Sequence, residues 1–264
     1  MTPSEAKTAQ ECFGRDGFYI HAAPALPSET LERAARGLGE VRDGVYDTGE
    51  TPAGRGWNPG DDPRALCKIE QPQLANAALR EALRAPLLGQ LAGAVTGAER
   101  VQVWWVQGLV KPGVPDAAVA ANVGWHQDWA YWRDWEEGSE LFTAWLALSD
   151  VTTESGPMVF VPGSHRWGLL PGGDFFGQDQ QALRAGIPIP EGETWRETPD
   201  ILPPGGVSFH HRLLFHGSHQ NRSDAPRLSL AIHLRTEKSR IRPESWAARY
   251  LERPEICPVI FQRP

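Results

Sequence analysis

Cysteine is scarce: Cys12, Cys67 and Cys257 are the only three in 264 residues. Their odd number and scattered spacing argue against a disulfide framework or a thiolate metal site, and read as reduced thiols of a cytoplasmic protein. No stretch approaches the roughly 18 apolar residues of a membrane span. The opening Met1-Thr2-Pro3-Ser4 begins nothing like the apolar core of a signal peptide. Positive charge is in deficit, with 26 Lys and Arg against 33 Asp and Glu and a net charge of −7. That balance argues against nucleic acid or an anionic membrane as partner. Internal repeats, heptads and low-complexity tracts are missing. What is left is a globular chain, expected to be a monomer or a homodimer.

What is abundant is tryptophan, eleven in all. Six of them (Trp104, Trp105, Trp125, Trp129, Trp132 and Trp135) crowd into one short region, as a packed core or as the wall of a pocket. The chain before residue 100 reads as helical, with one short strand at residues 17–20. A helix is expected over residues 3–14 with Ser4 as its cap. A second opens at Ser28 and ends at Gly37 and Gly39. Pro86 divides a leucine-rich stretch into two helices. Residues 40–66, rich in Gly, Pro and Asp, read as a loop or a mobile cover. After residue 100 come short strands at residues 101–107, 126–128, 141–148, 158–161, 207–211, 213–216 and 228–234. Residues 114–122 read as a loop, and a short helix is expected near 178–185. Strands broken by turns, without intervening helices, suggest an antiparallel barrel or jelly roll. The whole of 1–264 reads as one domain: a helical region over 1–99 packed on a β core over 100–237, then a C-terminal segment, 238–264.

His126 and Asp128 stand two apart, so an extended strand aims both at one point. A His-x-Asp pair alone is weak, because short polar pairs near loops are common. A distant histidine would complete a facial triad, the usual holder of non-haem Fe(II) in oxygenases. His216 fits that role, with His210, His211 and His219 competing. Spacing favours His216, which precedes Arg227 by eleven positions. If residues 211–216 formed one strand, His211 would face away from His216. Arg227 opens an apolar strand; it reads either as an inward carboxylate-binding fork or as a surface ion-pair partner.

Three segments together resemble the phytanoyl-CoA dioxygenase family. They are Trp125-His126-Gln127-Asp128, the run from Ser155-Gly156-Pro157 into Val161-Pro162-Gly163-Ser164-His165, and His216-Gly217-Ser218 through Asn221 and Ser223 to Arg227. The resemblance covers about residues 100–237. It implies a mainly β fold with flanking helices, a double-stranded β-helix of the cupin-like jelly-roll type. It implies Fe(II) on His126, Asp128 and His216, 2-oxoglutarate on Arg227 with help from Ser218 and Thr143, and O2 as co-substrate. Gln107 lies on a strand that faces the site in relatives. The implied reaction hydroxylates an aliphatic C–H of a small or medium metabolite and releases succinate and CO2. His165 matches the family yet follows a turn and reads as a loop residue. Thr143 also reads as a core threonine bonded to backbone.

Two features narrow the substrate. The acidic chain shows no Lys/Arg cluster for a CoA phosphate. A carboxylate at Asp128, where related halogenases carry a small residue, disfavours halogenation. Trp129, Tyr131, Trp132 and Trp135 follow the metal motif directly and are expected to wall the substrate pocket, with residues 40–66 closing over it; otherwise these rings only pack the barrel rim. Two other functions use the same barrel. One is a zinc or other divalent-metal hydrolase or isomerase, which gives Arg227 no task. The other is a barrel that binds a small molecule without turnover.

Overall fold

In the computed structural model, residues 1–114 and 121–263 are described. Most of the loop expected at 114–122 lies outside them. The chain opens with α1 (Pro3–Asp16), β1 (Phe18–His21) and α2 (Ser28–Arg42). Next come β2 (Gly54–Arg55), β3 (Cys67–Glu70), α3 (Ala77–Ala82) and α4 (Pro86–Thr96). The β-rich part runs β4 (Arg100–Lys111), β5 (Val123–His126), β6 (Leu141–Ala147) and β7 (Met158–Phe160). It continues through α5 (Gln180–Gly186), β8 (Thr198–Pro199), β9 (Val207–His211), β10 (His216–Ser218) and β11 (Arg227–Thr236). The last elements are α6 (Ala248–Leu251) and β12 (Val259–Gln262).

All strand pairs are antiparallel and form two sheets. The larger has the order β1-β9-β6-β11-β4-β3-β2, with β12 also on β4; the smaller is β5-β10-β7-β8. Together they make the expected double-stranded β-helix. The helices cover the outer face of the large sheet: Phe13 of α1, Leu38 of α2 and Leu88 of α4 share one core with Phe142, Phe209 and Ile232. A second cluster, including Phe18, Trp145, Met158 and Phe160, fills the space between the sheets.

Several local expectations are corrected. The cap of α1 is Thr2, not Ser4: its side chain accepts from Glu5 N at 3.3 Å while Glu5 accepts from Thr2 N at 2.6 Å. This reciprocal box places Pro3 at the first helical position, where a missing N–H costs nothing. Ser28 makes no side-chain cap, and α2 runs through Gly37 and Gly39 to Arg42. Gly37 serves close approach instead. A Cβ there would lie 2.3 Å from Asn76 Oδ1, the oxygen that caps α3 by accepting from Leu79 N. Residues 213–215 are not strand; the chain crosses there from the large sheet to the small one. His211 and His216 therefore lie in different sheets, and the single-strand parity argument does not apply to them. The leucine-rich stretch does break at Pro86, the first residue of α4.

Residues 40–66 are tied down rather than loose. β2 pairs with β3, the Trp57 indole is buried with the Arg42 guanidinium 4.3 Å above it, and its Nε1 donates to Asp62 O at 2.8 Å. Among the described residues no helix is long and apolar enough to cross a membrane.

Helix α4 approaches β12 closely enough that a Cβ on Gly89 would meet Ile260 O at 1.9 Å. Alanine favours a helix over glycine by about 1 kcal/mol, but the overlap must be relieved by backbone movement costing about 1–3 kcal/mol. Gly89→Ala should therefore lower the urea midpoint; a raised midpoint would show that the contact yields freely.

Candidate active site

The small sheet brings the two metal-type histidines together by register. His216 on β10 is the direct partner of His126 on β5, so both rings leave the same face. Each ring is fixed by the carbonyl two residues earlier: His126 Nδ1 lies 2.8 Å from Gly124 O and His216 Nδ1 lies 3.0 Å from Leu214 O. A carbonyl only accepts, so Nδ1 carries the hydrogen and each Nε2 presents a lone pair. Those two nitrogens lie 3.6 and 3.7 Å from Asp128 Oδ1. The ligand atoms of all three buried residues fall within 4.8 Å of one another. Burial holds the His216 imidazole well below its usual range, aided by the neighbouring His126 and His210. Burial works against a charge on Asp128, yet His216, His126 and His210 hold its carboxyl well below the usual carboxylate range. Two bare nitrogens and a carboxylate oxygen converging without a hydrogen between them suit a cation, and the 2-His-1-carboxylate set suits Fe(II).

The other oxygen of Asp128 faces the large sheet. There His210, Thr143 and His233 occupy one row across β9, β6 and β11. Thr143 Oγ1 donates to Asp128 Oδ2 at 2.9 Å, and His210 Nε2 lies 3.2 Å from the same oxygen. His210 thus supports the carboxylate from behind while His126 and His216 face its front. His211 packs against His165 and Phe13, and His219 lies near Trp125. His165, in the turn after Gly163, sits 3.2 Å from Gly14 O on α1, away from the three ligands.

Arg227 is buried, and its Nη1 donates to the carbonyl of Gly156, in the Ser155-Gly156-Pro157 turn. Its guanidinium stands 5.1 Å from the Trp145 ring, and its Nε has no partner. No carboxylate pairs with it among the described residues. Burial lowers it to about 10, still charged at neutral pH. The nearby acid, Asp200, is pushed by burial up to about 7 and takes a hydrogen bond from Ser208. A buried cation with an orphaned donor fits the far carboxylate of a 2-oxo acid.

Lys111 was not singled out in the sequence, because it stands beside Pro112 at a strand end. It is fully buried and pairs in register with Arg227. Its Nζ donates to Ser218 Oγ at 2.6 Å and to His219 O. Burial, then the charge of Arg227, holds it well below the usual lysine range. With its lone pair engaged by Lys111, the Ser218 hydroxyl keeps its own hydrogen for a ligand oxygen.

An inner cavity touches His126, Asp128, His216, Thr143, Ser218 and Arg227. An outer cavity of about 330 Å³ shares His126, Asp128, Gln107 and His233 with it. Gln107 Nε2 donates to Glu70 Oε1 at 3.4 Å. Tyr131 and Trp132 line the outer cavity. Trp129 stacks under Arg212 at 4.1 Å, and Trp135 packs edge-on to Trp104; neither lines it. From the 40–66 segment, Ala53 reaches the cavity wall. The aromatic walls missed in the sequence include Phe175, Phe176 and Trp246, from irregular segments with no periodicity to place them.

The sequence pattern described as Phytanoyl-CoA dioxygenase (PhyH) matches residues 13–229. The chain belongs to this family. A probable phytanoyl-CoA dioxygenase of Caenorhabditis elegans is 32% identical over 111 residues, 41% of this chain and 34% of that protein. A probable alpha-ketoglutarate-dependent hypophosphite dioxygenase of Stutzerimonas stutzeri is 25% identical over 182 residues, 66% of this chain and 58% of that protein. The chain spans about a third to two fifths of the length of the first curated relatives it matches. Among solved structures, the carbocyclase SnoK from nogalamycin biosynthesis superposes with a TM-score of 0.70 at 22% identity, covering 97% of this chain and 96% of that one. The epimerase SnoN from the same biosynthesis gives 0.66 at 23%, covering 94% and 89%. These likenesses show that the chain shares their fold.

Thr143 and His210 are the groups that hold the Asp128 carboxylate of this PhyH chain in place. Loss of such a supporting hydrogen bond lowers metal affinity roughly 10- to 100-fold. Thr143→Val should show that drop in Zn(II) or Co(II) calorimetry, and Thr143→Ser should restore most of it. Equal affinity in Thr143→Val would remove the hydroxyl from the metal site.

Proposed function

We propose that this protein is an Fe(II)- and 2-oxoglutarate-dependent dioxygenase that hydroxylates an aliphatic C–H of a small or medium metabolite. The observation that carries this reading is the joint burial of two features in one pair of cavities: three convergent ligand atoms, and an arginine that no carboxylate pairs with among the described residues. A hydrolytic metal site accounts for the first and leaves the second without a task. Family membership and the 2-oxoglutarate dependence named for the Stutzerimonas relative support the same choice. So does the structure of SnoN in complex with Fe3+ and alpha ketoglutarate.

His126, Asp128 and His216 would hold the iron; Arg227 and Ser218 would hold the far carboxylate of 2-oxoglutarate. When bound, iron and 2-oxoglutarate together supply the O2-dependent oxidation of an unactivated C–H, with succinate and CO2 released. The chain's own groups do the rest. Arg227 fixes the direction of the cosubstrate by a fork that lysine lacks. Thr143 and His210 hold Asp128 in place. Trp132, Tyr131 and Phe175 wall the substrate off from water. Lys68, the one Lys or Arg lining the outer cavity, is paired with Glu70 at 3.0 Å, which leaves no free Lys or Arg there for a CoA phosphate. A compact metabolite fits better than a CoA thioester. The free, buried Cys67 and Cys257 suit a reducing, cytoplasmic setting.

Purified protein with Fe(II) should convert 2-oxoglutarate to succinate, and a metabolite library should contain compounds that stimulate it. Asp128→Ala should abolish this turnover. Arg227→Lys should raise the KM for 2-oxoglutarate by roughly 10-fold or more, the scale of a hydrogen bond to a charged group. Product mass spectrometry distinguishes hydroxylation, a gain of one oxygen, from the epimerase and carbocyclase outcomes named for SnoN and SnoK. Wild-type protein that makes no succinate under any of these conditions, or an Arg227→Lys KM equal to wild type, would overturn the assignment.

A further inference from the structure

Among the described residues, three Trp, Tyr or Phe side chains are exposed: Tyr131 at 46%, Phe176 at 68% and Trp246 at 53%. All three line the outer cavity. They come from irregular segments far apart in the chain, so no local pattern gathers them. Apolar side chains scattered singly over a surface need no explanation, but exposed rings gathered on one cavity mark a ligand site.

The rings are held in place before any ligand arrives. The Tyr131 hydroxyl accepts from Phe175 N at 2.8 Å, which ties it to the segment that carries Phe176. Phe175 and Phe176 pack edge to face at 5.0 Å. Trp246 packs edge to face on Trp105 of β4 at 4.9 Å. The segment leading to Trp246 is fastened to the one that follows Tyr131: Ile241 bridges Trp135, and Arg242 N donates to Asp134 O at 2.8 Å. Preorganised rings bind without first having to be ordered.

Apart from Asp128, the charges in this wall already have partners. Glu70 accepts from Lys68 Nζ at 3.0 Å, from Trp105 Nε1 at 2.6 Å and from Gln107 Nε2 at 3.4 Å. Asp134 accepts from Ser245 Oγ. The Lys68 ammonium also stands 4.5 Å from the centre of the Phe175 ring and 5.7 Å from that of Phe176, so these rings have a cation of their own. A cationic ligand would be repelled by Lys68 at those rings, and an anionic one would compete with Glu70 for Lys68. A neutral aromatic ring meets neither obstacle. It offers edge hydrogens to ring faces and its own face to ring edges, worth roughly two- to tenfold in affinity per pair beyond the area buried.

We propose that the outer cavity is an aromatic-recognition site. The substrate carries an uncharged aromatic ring system that packs among Trp246, Phe176 and Tyr131 at the mouth, with an aliphatic carbon of the same molecule directed toward His126 and Asp128, which line both cavities. This rests on the proposed function in taking the outer cavity as the substrate pocket, and narrows its metabolite to an aryl compound.

Calorimetry on the full-length protein loaded with Zn(II) and 2-oxoglutarate tests this with three probes: naphthalenemethanol, its fully hydrogenated counterpart, and tetraethylammonium. The hydrogenated probe has the same carbon skeleton and is the more hydrophobic, so burial of apolar area alone would rank it first. Aromatic recognition reverses that order. Trp246→Ala and Phe176→Ala should each weaken naphthalenemethanol binding roughly two- to tenfold, and the hydrogenated probe by less. Trp246→Phe should restore part of the loss. Leu169→Ala, at an exposed apolar residue outside the cavity, should change nothing. The proposal is overturned if naphthalenemethanol does not bind, if either other probe binds more tightly, or if both alanine variants bind it as wild type does. A dimer in solution that Trp246→Ala dissociates would also overturn it, by making the rim an interface between copies. Should a variant fail to fold, the wild-type ranking of the three probes decides alone. Aromatic preference without succinate formation from any compound would remove the proposed function alone; succinate formation without aromatic preference would remove this inference alone.

Discussion

The carboxylate of Asp128 is the point at which the two sheets of the fold meet chemically. One oxygen faces two imidazoles from the small sheet; the other takes hydrogen bonds from the large sheet. Neither sheet alone makes the site. The large sheet contributes none of the three convergent side chains, but it decides where Asp128 points. The small sheet contributes both histidines, each fixed by its own backbone. A short 3-10 turn after β5 carries Asp128 between them. Any change in how the sheets pack changes the distance between donors and ligands, which a metal senses within tenths of an ångström.

Charge is arranged on the same plan. Arg227 and Lys111 are buried side by side on paired strands, an arrangement that repulsion and desolvation both oppose. Asp200 is the acid near Arg227, and burial raises its carboxyl to about 7, which limits how far it neutralises the guanidinium. The excess positive potential is thus unspent in the protein itself. A bound carboxylate would relieve it.

Much of the site was legible because it is written in short, local patterns. The interval from His216 to Arg227 survives any error in element boundaries. His126 and Asp128 do converge, but not as a strand over residues 126–128: β5 ends at His126 and Asp128 opens a 3-10 turn, so the turn and not strand alternation brings the carboxylate round. The helices were legible too, except where tertiary contact overrode local preference. Gly37 looked like a helix end and is a point of close approach; Ser4 looked like a cap and was displaced by Thr2. The roles of His210 and Lys111 were not legible. Each depends on which strands are neighbours and in what register, and a sequence records neither. The aromatic run from Trp129 to Trp135 was half-legible. Its composition announced a cluster, but only the fold sorts Tyr131 and Trp132 into the cavity and turns Trp129 and Trp135 away from it.

The pairing of β4 with β11 skips a residue at Trp104, between the Trp105 pair and the Val103 pair. In a regular strand, consecutive side chains point to opposite faces. Here the bulge lets Trp104 and Trp105 both line the outer cavity. The shape of the substrate chamber is thereby uncoupled from the alternation that governs the rest of the sheet. A lineage could recast this chamber by deleting one residue, swinging an indole from wall to core in a single step.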